Sequence, residues 1–136
     1  IRAFLGKKIG AKFKGFVPLL GITDKSIPAI EDWYENHVLP LLDKHFAKYD
    51  YLLGSKPCLG DFGLMGPLYA HLYRDPAPGV LMKKVAPNVA RWVERMNQPQ
   101  EVEGMFLADD AIPDTLLILL TRIFKEQWPV LINTVE

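Results

Sequence analysis

The chain has 136 residues, with 16 basic and 16 acidic side chains, three histidines and one cysteine. This length suits a single domain over 1–136 that buries roughly two-thirds of its unfolded surface without disulfides. The charge balance points away from nucleic acid and anionic membranes as partners, and one cysteine excludes an internal disulfide and most zinc frameworks.

That cysteine usage fits a reducing compartment, so a cytoplasmic location is expected. No run reaches the ~20 apolar residues of a membrane span, and no signal peptide is visible at the N-terminus. The chain opens at Ile1 without Met and stops within Trp128-Pro129-Val130-Leu131-Ile132, which reads as the opening of another helix. Both ends are expected to be cuts within a longer polypeptide, or limits of the determined chain.

Phe4, Leu5, Ile9, Phe13, Phe16 and Val17 recur near helical spacing, although Gly6, Gly10 and Gly15 weaken that helix. Arg2, Lys7, Lys8, Lys12 and Lys14 recur at the same intervals and read as its solvated face, in preference to a phosphate-binding patch. Pro18 to Gly21 breaks the pattern. From Thr23 or Asp24 to Tyr49, a broad apolar stripe predicts one long helix, kinked near Asn36 because Pro40 lacks an N–H. Another helix is expected over Cys58 to Tyr73, stopped by Arg74-Asp75-Pro76-Ala77-Pro78-Gly79. Pro87 suits the first position of the next helix, with Val89, Trp92, Val93 and Met96 facing the core and Asn97-Gln98-Pro99 closing it. An acidic loop, Gln100 to Asp110, leads to a last helix opened by Pro113, whose stripe is Leu116, Leu117, Leu120, Ile123 and Phe124. Nothing alternates at period two, so no sheet is expected.

The most informative segment is Gly54-Ser55-Lys56-Pro57-Cys58-Leu59-Gly60-Asp61-Phe62. Cys58 and Asp61 have capping-box spacing, each side chain reaching the other's backbone N–H. Pro57 and Phe62 fall where a hydrophobic staple would sit. This spacing assigns Cys58, Asp61 and Phe62 to starting a helix, ahead of reading Cys58 as a nucleophile or Asp61 as a catalytic acid or base.

The same segment resembles the Gly-x-x-Pro-Ser/Thr-x-Ala-Asp-Phe pattern that opens the central helix in the helical C-terminal domain of glutathione transferases. The preceding amphipathic stretch and Arg91-Trp92-Val93-Glu94-Arg95-Met96 extend the resemblance over about 30–97. Cys58 replaces the usual hydroxyl and Gly60 the usual alanine. A thiol accepts hydrogen bonds poorly, so the cap is expected to be weaker, by under ~1 kcal/mol.

The resemblance implies an all-α orthogonal bundle of about five or six helices. It also implies glutathione-dependent transfer or isomerisation on a small apolar electrophile, within a homodimer. In that family a thioredoxin-like domain binds glutathione and activates its thiol, and catalytic cysteines belong there. No part of this chain resembles that domain, so the chain alone is expected to be inactive, with no catalytic residue and no metal of its own. Two alternatives remain: a non-catalytic interaction module, as similar domains provide in translation factors and aminoacyl-tRNA synthetases, and a stand-alone ligand-binding domain.

Phe13, Phe16, Tyr69, Tyr73 and Trp92 are candidates to line an apolar pocket, although aromatics at helical spacing commonly serve the core. The resemblance implies that the first helix borders the electrophile cleft and the dimer interface. That favours Phe13 and Phe16, with Tyr69, as substrate-binding residues, and leaves Trp92 to the core. His37, His45 and His71 lack a ligand partner at i+3 or i+4 and are expected to be structural. Gly60, Gly63 and Gly66 are expected to admit a neighbouring helix.

Overall fold

The computed structural model describes residues 2–98, 101 and 103–135, without the side chains of residues 2–5, 7 and 9. The apolar positions Phe4, Leu5 and Ile9 and the basic positions Arg2 and Lys7 therefore lie outside the described side chains, and the stop at Pro99 lies outside the described residues. The described residues are mostly helical and contain no strand, only isolated bridges. The protein is all-α. The chain divides into two compact units, Ile1–Asn36 and His37–Glu136.

The first unit holds α1 (Arg2–Phe16), a 3₁₀ turn (Val17–Leu20) and α2 (Ile27–Asp32). Gly21, at φ 77°, closes the 3₁₀ turn in the left-handed conformation that favours glycine. Thr23 does not begin the helix. Ser26 Oγ accepts the Thr23 N–H at 2.9 Å and donates to the Gly21 carbonyl at 2.6 Å, a local turn that competes with helix. α2 starts only at Ile27.

The predicted single helix to Tyr49 is instead α2, a π turn (Trp33–Val38) and α3 (Leu39–Phe46). Pro40 explains the π turn, because its ring would meet the carbonyl four residues back, at Asn36. One wider turn relieves that clash. A second π turn, Gly66–Tyr73, follows α4 (Leu59–Met65) and carries Pro67 at its start.

In the second unit, α3 packs against α5 (Pro76–Val85), α6 (Pro87–Met96) and α7 (Asp114–Val135), and α4 lies against α6. Leu39, Leu42, Met82, Val89, Trp92 and Val93 form its fully buried centre. The Pro76-Ala77-Pro78-Gly79 stretch does not act only as a stop. It is the first turn of α5, where the missing proline N–H groups have no helical partner to lose. Gly79 is required there because a Cβ would collide with the Tyr73 carbonyl.

Two further expectations change. Gly63 and Gly66 have open space where a Cβ would be, so no helix packs against them; Gly60 alone is crowded, with Leu52 Cδ1 at 3.1 Å. On α7 the buried residues are Leu116 and Leu119, whereas Leu117 and Phe124 are exposed, Phe124 at 60 %. α7 also runs through Pro129 to Val135. The carbonyl that Pro129 leaves without a donor belongs to Lys125, in an exposed stretch where water can serve it.

Candidate functional site

Asp61 is the polar centre of the second unit, with no exposed surface. It lies in the first turn of α4, so its carboxylate faces back toward the helix start. Oδ2 accepts the Cys58 N–H at 2.9 Å, and the Asp61 N–H reaches the Cys58 side chain, which completes the capping box. Oδ1 accepts the Leu52 N–H and the Trp92 Nε1–H, each at 3.0 Å. Trp92 stacks on Phe46, ring centroids 4.8 Å apart. One carboxylate thus ties the α4 start, the preceding turn and α6. Phe62, at N4, stays 61 % exposed.

Burial pushes the Cys58 thiol up, and its hydrogen bond with Asp61 adds to this. An activated nucleophile needs the reverse shift. The environment suits a capping thiol.

His45, on α3, is also fully buried. Its Nε2 lies 3.2 Å from the Tyr51 carbonyl, which can only accept, so Nε2 carries the hydrogen. Nδ1 then accepts from the Thr115 hydroxyl at 2.7 Å, joining α3 to α7. Burial lowers the His45 pKa, against smaller opposing effects of the Tyr51 carbonyl and Asp61. The ring is a neutral structural link. His37 and His71 are exposed, and among the described residues no group of His, Cys, Asp or Glu is arranged to hold a metal ion.

The aromatic candidates are distributed over both units. Phe13 and Phe16 lie on α1 in the first unit, 69 % and 51 % exposed. Tyr69 lies in the second unit, half-buried and stacked on Tyr73 with centroids 6.2 Å apart. Tyr73 donates to Glu94 Oε1 at 2.5 Å; that carboxylate, with some burial, pushes the phenol up to about 12. Lys83 lies over the same ring, 4.4 Å from its centroid. Trp92 is core.

A cleft of about 240 Å³ was not visible in the sequence. It opens beside Cys58, between Leu53 and the segment carrying Phe106, Leu107, Asp110, Ala111 and Ile112. Leu107 N–H donates to the Leu53 carbonyl at 2.9 Å and Ser55 N–H to the Met105 carbonyl at 3.0 Å, so both walls are fixed to each other. Gly54, at φ +134°, permits this approach, since a Cβ would lie 2.6 Å from the Met105 carbonyl oxygen. The local sequence holds no periodic signal for a contact 50 residues away.

Neither the curated proteins nor the solved structures gave a match. The family model described as "Glutathione S-transferase, C-terminal domain" matches residues 13–99, more than half of the chain. That range spans the buried Asp61 cap and its Trp92 partner. The chain belongs to the glutathione S-transferase C-terminal domain family.

Proposed function

We propose that this chain is the substrate-facing helical part of a glutathione-dependent transferase or isomerase. In this reading, residues outside the chain hold glutathione and activate its thiol. The helices, with Phe13, Phe16 and Tyr69, offer apolar surface to a small electrophile and a face for a homodimer in the cytoplasm.

The observation that carries this reading is how the polar groups are used. Asp61 is occupied by three N–H donors, His45 is held neutral between two helices, and the Cys58 and Tyr73 pKa values are both raised. Each of these groups holds structure together, and none is poised to activate a thiol. Among the described residues, the lining of the cleft beside Cys58 carries no lysine or arginine to pair with glutathione's two carboxylates.

The test is to mix the purified chain with glutathione and 1-chloro-2,4-dinitrobenzene and follow absorbance. No conjugation above the uncatalysed rate and no calorimetric binding of glutathione are expected. Conjugation by the chain alone would overturn the assignment of thiol activation elsewhere. Light scattering should give twice the 15.4 kDa chain mass, and a monomer at micromolar concentration would remove the homodimer.

A further inference from the structure

We propose that the cleft beside Cys58 is a binding site for a small aryl-alkyl ammonium ion. The inference does not depend on the transferase reading, since it rests on the cleft's own shape and charge.

The apolar side chains of Leu53, Phe106, Leu107 and Ile112 make most of the wall. A volume of about 240 Å³ exceeds the ~150 Å³ of an apolar cavity that takes up benzene. One phenyl ring with a short alkyl chain therefore fills it. The walls are held by backbone hydrogen bonds between 53–55 and 105–107, so the site is largely pre-formed, as small-molecule sites generally are.

Charge selects the ligand's sign. Among the described residues, Asp110 is the one charged residue on the lining, which carries no lysine or arginine. No hydrogen bond or ion pair engages its carboxylate among the described residues. Lys56 lies over the Phe106 ring, 5.9 Å from its centroid, without forming part of the lining. An aryl group against Phe106 and Ile112 would bring an ammonium within reach of Asp110.

Cys58 supplies the readout, because it is the only cysteine in the chain and lines the cleft. Ligand bound there covers the thiol. The experiment measures the rate at which a disulfide reagent labels the full chain at mildly alkaline pH, with 2-phenylethylamine or 2-phenylethanol titrated to millimolar concentration. Backbone amide shifts of Leu53, Phe106 and Ile112 are followed in parallel by NMR, which keeps the test open if labelling is slow. The amine should slow labelling saturably and shift those amides. The neutral alcohol should bind about 1.5- to 5-fold more weakly, the range for a solvent-exposed ion pair. Asp110→Asn should erase that preference while leaving the melting temperature unchanged, and Ile112→Trp should fill the cleft and remove protection. If Ile112→Trp does not fold, Asp110→Asn decides alone. Neither protection nor shifts with the amine, equal binding of amine and alcohol, or an unchanged preference in Asp110→Asn would each overturn the proposal.

Discussion

Replacing Asp61 with alanine should be among the most damaging single changes in this chain. The substitution strips acceptors from three N–H groups at once: those of Leu52, Cys58 and the Trp92 indole. The site is fully buried, so water does not simply replace the carboxylate. A buried donor left unsatisfied costs about 1–3 kcal/mol. The Trp92 bond is wholly buried, whereas the Leu52 and Cys58 bonds are partly so, which weights the last two toward the low end. The expected loss is about 3–5 kcal/mol, against the ~5–15 kcal/mol by which a domain is stable.

Asp61→Asn separates hydrogen bonding from side-chain volume. With its amide oxygen at the Oδ1 position, asparagine still accepts from Leu52 and Trp92. Its NH₂ then faces the Cys58 N–H, donor against donor, and the loss should be about 1–2 kcal/mol. Urea unfolding followed by far-ultraviolet circular dichroism measures both variants. Equal losses for alanine and asparagine would refute the assignment of stability to this three-donor arrangement, as would an unchanged midpoint for Asp61→Ala.

Three further outcomes are expected. His45 has a folded-state pKa below its unfolded value of ~6.5, so the unfolded chain binds the extra proton first. Its contribution is intact above that pH and falls as pH drops through it; urea midpoints should decline from pH 7.5 to 5.5 with a smaller slope in His45→Gln, and identical slopes would contradict this. Asp43, on α3, accepts the Asn88 N–H at 2.7 Å at the start of α6, whose N-cap residue Ala86 has no capping side chain; Asp43→Ala should cost about 1–2 kcal/mol by thermal melting. Cys58→Ser restores a better acceptor at the α4 cap and should raise stability by under ~1 kcal/mol, so a lower melting temperature would count against the capping role.

Legibility in the sequence followed the range of each interaction. The Cys58–Asp61 pairing spans three residues and has a fixed spacing, so it is readable in the sequence. The Asp61–Trp92 bond spans 31 residues and His45–Thr115 spans 70. Periodicity marked Trp92 as core, but nothing in it says which carboxylate receives the indole N–H. The prolines show a second boundary. Pro87 at a helix start was legible because the local rule and the fold agree. Pro76 and Pro78 read only as a stop after Tyr73, yet they open α5, a helix the local rule did not mark, and the tight contact of Gly79 with the Tyr73 carbonyl accompanies that start. The cleft beside Cys58 was least accessible of all. Its two walls, near residues 53–58 and 106–112, are joined by backbone bonds and one glycine conformation. Backbone bonds impose no side-chain pattern, so a site assembled by them leaves almost no trace in the order of residues.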